Sequence, residues 1–372
     1  MLLLLLLFFI PNMTRAEDVK HVSDTGSLNA QLARSILHEA KFCMPARWQW
    51  RYFVNGDGAR LRYGFCAPEV TTLTTREKAS TRAQPARFAG TVVILPGFTE
   101  FGEVYFELAT EFLRRGYLVY ELDWRGSGGS ERYFEQSQKS SSLGVEHDVD
   151  DLHQFLRVIV QKSSVSPLIL VGHSMGSHII LRYLHDYPQS IDLAILSAPP
   201  LSAGFGSMPP WAVGLGSAIQ LKMKHGNEYL SGQGDWTVMA PKVSKMRSHS
   251  HDPRRVKLEY AWATQNPSLQ VGGATWQWLY CFQKSCQVMS GDYLGKIATP
   301  VLIGCPTADH IADPEKMRAL ATRLPNGKLF EDIDARHDLF LEDDAHRQPW
   351  IDAIFKFIGD KTCQTPRLIK AK

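Results

Sequence analysis

Short apolar runs alternate with segments of helical spacing through most of this chain. TVVIL (91–95), YLVYELD (117–123), PLILVGH (167–173), DLAILSA (192–198), PVLIG (300–304) and KLFEDI (328–333) read as strands within a sheet. Phe106 to Arg115, Val149 to Val160 and Met175 to His185 carry apolar groups at helical spacing, and a last helix is predicted from about His346 to Ile358. Gly116 stops the first of these, and Pro188 follows the third. This βα alternation predicts an α/β fold, a mostly parallel central sheet with helices on both faces.

Two regions depart from that rhythm. Ahead of it, residues 28–42 have helical spacing, and Trp48 to Val54 pairs with Arg60 to Phe65 through the hairpin turn Asn55-Gly56-Asp57-Gly58. The polar stretch 70–87 reads as a loop. Within it, the interval 199–298 carries five tryptophans (Trp211, Trp236, Trp262, Trp276, Trp278), several glycines and little strand signal. About a hundred residues is too long for a simple connection between strands. The expected organisation is therefore a core of 17–198 and 299–372 with a mostly helical cap or lid, 199–298, over the end of the sheet.

Composition narrows the class little. Of 372 residues, 44% are hydrophobic and 21% charged, the balance of a globular chain. A formal net charge of +3 is too small to suggest a nucleic-acid partner. The six cysteines include no C-x-x-C pair, so no zinc-type site is expected; Cys43–Cys66 and Cys281–Cys286 are possible disulfides, and Cys305 reads as a buried thiol. Leu2 to Ile10 is an unbroken apolar run, too short to span a bilayer and lacking the basic residues that precede a signal core. Residues 1–16 read as an export or membrane-tethering signal, or as an over-long start with Met13 as initiator, which would leave the protein cytoplasmic.

The candidate chemistry centres on Gly172-His173-Ser174-Met175-Gly176, a G-x-S-x-G placed between a strand and a helix. That context makes a nucleophile elbow: a sharp turn exposes the serine at a helix N-terminus, and flanking glycines remove side chains that would collide. In such folds the acid and then the base follow in sequence. Asp309, just beyond PVLIG, is the expected acid; Asp313 suits a helix cap better. His337, in the loop after KLFEDI, is the expected base, ahead of His310 and His346. Oxyanion donors are expected from the backbone N–H groups of Met175 and Phe98, the latter following Pro96-Gly97 at the end of TVVIL. His173 is expected to face away from the cleft, and His173, His178 and His185 to be packed or solvated.

Other motifs carry less. Asp123 to Ser130 contains G-x-G without a phosphate-loop register and reads as a tight loop. The run Glu146, His147, Asp148, Asp150, Asp151, His153 reads as an acid-rich helix start rather than a metal site. Lys242, Lys245, Arg247, Arg254, Arg255 and Lys257 read as a solvated face, or as peripheral contact with an anionic membrane. No metal and no cofactor is implied.

LPGFTEF (95–101), DWRGSGGSER (123–132), GHSMGSHIILR (172–182), PTADHIAD (306–313) and RHDLFLE (336–342) resemble the bacterial lysophospholipase and monoacylglycerol-lipase group of α/β-hydrolases. YAWATQNPSLQVGGATWQWL (260–279) resembles the lysophospholipase branch, and the likeness spans about 48–358. The resemblance implies serine-dependent hydrolysis of a fatty-acyl ester of a single-chain lipid, with Ser174, Asp309 and His337 in the matching positions. Two departures bear on acyl and headgroup preference: Pro-Gly-Phe replaces the His-Gly common in this group, and Ser177 replaces a second glycine. The alternatives are a peptidase or amidase or a small-ester esterase of the same fold. An acidic cluster in the cap would favour the peptidase, whereas this cap reads as basic. A dehalogenase or epoxide hydrolase would carry Asp at the elbow. A non-catalytic binding module would lack a triad member, and all three are present in order.

Overall fold

The structure, a computed structural model, describes residues 31–69, 88–135, 138–202, 209–237 and 248–363. The predicted N-terminal signal, the 70–87 loop and Lys242, Lys245 and Arg247 lie outside the described residues.

The six predicted strands are present, and the hairpin joins them in one eight-stranded sheet. In chain order the strands are β1 Gln49–Val54, β2 Arg60–Cys66, β3 Gly90–Leu95, β4 Tyr117–Leu122, β5 Leu168–His173, β6 Leu193–Ser197, β7 Val301–Pro306 and β8 Gly327–Asp332. Their spatial order is β1-β2-β4-β3-β5-β6-β7-β8. Pairing is parallel from β4 through β8, and antiparallel where β2 joins β1 and β4. β3, β4, β5, β6 and β7 are buried throughout, as their apolar runs require, while β1 and β8 are partly exposed edges. In the hairpin turn Gly58 has φ 93°, a left-handed conformation that glycine adopts without strain, and Asn55 Oδ1 accepts from the Ala59 N–H.

Helices cover both faces. A helix over 31–37 is α1; the 28–42 expectation is corrected there, since the chain turns at 38–39 and resumes as a short 3₁₀ segment, Ala40–Phe42. The others are α2 Phe106–Arg114, α3 Val145–Phe155, α4 Met175–Asp186, α5 Pro210–Lys222, α6 Leu258–Gln265, α7 Trp276–Val288, α8 Pro314–Arg323 and α9 Asp344–Cys363. α3 begins four residues before the predicted start and continues as a π-type turn, Leu156–Val160. One core layer holds Leu152, Phe155, Ile179 and Ile180; the other holds Phe106, Phe112, Trp350 and Phe357.

α5, α6 and α7 all lie in the long β6–β7 connection. His178 links it to the core: its ring nitrogens meet the Pro200 carbonyl and the Ser285 hydroxyl, each at 2.8 Å. Burial pushes the His178 pKa down to about 4, so the ring is neutral. The connection also contributes isolated bridges, Ala274 with Ser140 and Thr275 with Tyr229. Neither of the possible disulfides forms: Cys43, Cys66, Cys281 and Cys286 are thiols. No described helix is long and apolar enough to cross a membrane.

Candidate active site

β5 ends at His173 and α4 starts at Met175, so Ser174 must turn the chain within one residue. It does so at φ 47°, ψ −117°, a conformation non-glycine residues seldom adopt. Its neighbours explain how the turn fits. A Cβ on Gly176 would overlap the backbone oxygens of Leu95 and Pro96, and one on Gly172 would lie 2.6 Å from Ile180 Cδ1. The Ser174 N–H donates to the Ser197 carbonyl on β6 (2.9 Å), which pins the turn to the sheet.

The three residues expected from separate strand ends converge. Ser174 Oγ lies 3.0 Å from His337 Nε2, and His337 Nδ1 lies 2.7 Å from Asp309 Oδ2. The other Asp309 oxygen accepts from the N–H groups of Ile311 (2.7 Å) and Ala312 (3.0 Å), which fixes the carboxylate plane. With Nδ1–H donating to Asp309, Nε2 faces the serine as an acceptor, the tautomer needed to take its proton. Asp313 caps α8 and accepts from Glu315 N–H at 3.0 Å. His346 pairs instead with Asp332 at 2.8 Å.

Phe98 and Met175 both line the small gap beside the serine turn, and the Phe98 ring packs on Trp278 with centroids 4.1 Å apart. The Gly97 N–H is taken by Glu100 Oε2 at 2.6 Å. Trp124 reaches over from the 123–130 loop and donates to the Pro96 carbonyl at 2.8 Å. That loop is tight, as expected, because Asp123 accepts from Gly102 and Gly129 N–H and pairs with Arg62. The acid-rich segment is the start of α3, where Asp151 pairs with Arg125 at 2.8 Å.

A cavity of about 600 Å³ opens over Ser174 and His337. The core contributes Phe98 and Leu341 to its wall, and the β6–β7 connection contributes Trp236 and Tyr260, stacked at 5.5 Å. Asp235 and Glu259 also line it, together with Arg255 of the basic run, so the wall carries charges of both signs. Two arginines of the basic run are held in ion pairs. Arg255 is buried among Glu107, Asp252 and Asp344, and Arg254 pairs with Glu39.

His173 is misplaced by the sequence reading. It does not face away from the cleft; it lines the cavity floor, its ring 4.9 Å from that of His337. Strand alternation fails here because Ser174 has already left extended geometry. His173 Nε2 forms an ion pair with Asp338 at 2.9 Å and lies 3.8 Å from Glu100. Burial opposes its protonation, but Glu100 and Asp338 outweigh that and raise its pKa to about 9. Burial likewise opposes charge on Asp338, and His249 and His173 hold it well below the usual carboxylate range. His173, His337 and Asp338 bring possible metal-ligating atoms within 4.8 Å of one another, but both His337 nitrogens are engaged by Asp309 and Ser174. The grouping reads as ion pairs. Glu100, His173 and Asp338 were absent from the expected site; the signal for two of them is adjacency, each being next in sequence to a triad member.

A mostly parallel sheet with a strand–serine–helix turn, completed by Asp and His from later strand ends, defines an α/β-hydrolase. The chain belongs to the Hydrolase_4 family, described as serine aminopeptidase, S33, whose profile matches residues 86–344. It is therefore a serine hydrolase. Curated relatives include probable lysophospholipase L2 of Haemophilus influenzae, 25% identical over 72% of this chain and 83% of that one. Lysophospholipase L2 of Escherichia coli strain K12 is 26% identical over 72% and 80%. Among solved structures, monoglyceride lipase of Saccharomyces cerevisiae superposes with a TM-score of 0.62 at 22% identity, covering 85% of this chain and 97% of that one. The group read from the motifs is thus borne out.

Proposed function

We propose that the protein hydrolyses fatty-acyl esters of single-chain lipids, lysophospholipids or monoacylglycerols, through an acyl-enzyme on Ser174. The observation that carries this reading is the continuous Ser174–His337–Asp309 hydrogen-bonded chain opening onto the 600 Å³ cavity. The names of the relatives supply the substrate class.

His337 Nε2 takes the Ser174 proton as Oγ attacks the ester carbonyl, while Asp309 holds the ring and offsets its charge. The Phe98 and Met175 N–H groups receive the oxyanion. The glycerol-side oxygen leaves with the proton from His337. Water, deprotonated in turn by His337, attacks the acyl-enzyme, and the fatty acid departs as Ser174 regains its proton. Residues 199–298 act as a cap that covers this cavity. Peripheral membrane contact fits the cap's helix α5 better than the basic run: Trp211, Leu215 and Ile219 on the helix and Met223 at its C-cap follow at four-residue spacing, all exposed, with Lys222 and Lys224 beside the last.

A second reading, cleavage of an amide next to a free amine, is favoured by the Asp235 and Glu259 carboxylates on the cavity wall. One assay separates the two. Fatty-acid release from lysophosphatidylcholine and monoacylglycerol, beside cleavage of a short p-nitrophenyl ester and an aminoacyl amide, is measured for the wild type and Ser174→Ala. Lipid turnover falling about 10³-fold or more in the variant supports the proposal. Turnover that survives the substitution overturns the nucleophile, and amide cleavage without lipid turnover moves the substrate class.

A further inference from the structure

We propose that His173 is a positioning residue that joins the serine turn to the oxyanion loop through Glu100 and to the base's loop through Asp338, with Asp338 extending the link to His249 in the cap. The inference rests on the Ser174 reading and adds to it what holds the reacting groups in register. Ser174, Phe98 and His337 follow different strands, β5, β3 and β8, so their mutual placement depends on contacts between the three loops. His173 is the residue before Ser174 and touches both other loops.

Toward β3, Glu100 Oε2 accepts from Gly97 N–H (2.6 Å) and Tyr105 O–H (2.5 Å), which shapes the turn ahead of Phe98, and its other oxygen faces His173 at 3.8 Å. Toward β8, Asp338 is next to His337 and pairs with His173 at 2.9 Å. Its second oxygen meets His249 Nδ1 at 3.1 Å, and its N–H donates to the His249 carbonyl at 2.9 Å. Completing the surroundings of the ring, Ser197 Oγ lies 3.5 Å from Nδ1, the His337 ring stands edge-on, and the Asp309 charge acts on it from beyond. Apart from the half-buried His249 these groups are buried, where a charged link is strong and a missing member leaves a carboxylate unpaired. The proton that makes His173 a cation is held to about pH 9. Below that pH the clamp is whole; above it the ion pairs to Glu100 and Asp338 are lost.

The test is the rate at which a fluorophosphonate labels Ser174 between pH 6 and 10, with kcat and KM on lysophosphatidylcholine, for the full-length wild type, His173→Gln and Asp338→Asn. In the wild type, labelling should fall as pH rises through about 9. Asp338→Asn should move that fall to lower pH, because one of the two anions holding the proton is gone. His173→Gln should abolish the fall and lower kcat about 10- to 100-fold, with KM little changed, the signature of misplaced reacting groups. A wild type with no alkaline fall overturns the proposal, as does His173→Gln with wild-type kcat and the fall intact. Should that variant not fold, an Asp338→Asn profile superimposable on the wild type overturns it equally. A wild type unlabelled at Ser174 defeats the Ser174 reading and this proposal together, whereas labelling that is indifferent to both substitutions defeats this proposal alone.

Discussion

Ser174 and His337 lie 3.0 Å apart yet are held by different means. The serine is set by backbone geometry: a strand that ends, a helix that begins, glycines that let the Leu95 and Pro96 backbone and Ile180 approach, and one N–H bonded to β6. The histidine is set by polar ties over long sequence separations. Around it, Glu342 is fully buried and accepts from the N–H groups of Arg336 (2.7 Å), His251 (2.8 Å) and Asp343 (3.1 Å). Arg336 donates to the Ser250 carbonyl, Ser250 to the Leu341 carbonyl, and Arg255 to the Glu342 carbonyl, each at 2.7 Å. The loop carrying His337 is thus stitched to residues 249–255 of the β6–β7 connection, while Ser174 rests on the sheet. Movement of that connection is expected to disturb His337 before it disturbs Ser174.

That contrast can be broken at four points. The largest effect is expected for Asp309→Asn, which leaves the geometry but favours the wrong His337 tautomer; kcat should fall on the order of 10⁴-fold with the melting temperature little changed. Retained kcat would remove Asp309 from the chemistry. Gly176→Ala comes next, because its Cβ meets backbone oxygens that cannot move aside. It should cost about 3 kcal/mol of stability and distort the turn, lowering activity and melting temperature together. A normally stable and active variant would show that the turn is not set by local packing.

Glu342→Gln should be smaller and different in kind. An amide NH₂ facing backbone donors leaves at least one of them unpaired, worth about 2 kcal/mol, and loosens the His337 loop from residues 249–255. The expected readout is about a 10-fold loss in lipid kcat/KM with less effect on a short ester; equal losses on both would argue against a cap-specific role. Asp313→Ala, which removes only the α8 cap, should cost about 1 kcal/mol in chemical denaturation and leave kcat unchanged. A large kcat loss there would reopen the choice between Asp309 and Asp313 as the acid.

Much of this molecule was legible in one dimension. The buried strands announced themselves as apolar runs, the elbow as G-x-S-x-G between a strand and a helix, and Asp313 as a helix cap through its place before Pro314 and Glu315. Each depends on contacts within a few residues, where spacing stands in for distance. His173 was misread because strand alternation was carried one residue too far, into a turn at positive φ. Spacing leaves the two possible disulfides open, since it does not bring two sulfur atoms together, and the structure shows thiols there.

The sequence by itself determined the α/β-hydrolase architecture, the order of Ser174, Asp309 and His337 along the chain, and the strands they follow, because periodicity and turn chemistry are local. The tertiary structure decided which charges meet. It took Arg255 out of an apparently basic face and buried it among three carboxylates, turned Asp235 and Glu259 toward the cavity, and gathered Glu100, His173, Asp338 and His249 around the base. Electrostatic partnership depends on separation in space and on exclusion of water, and neither is written in the spacing of residues along a chain.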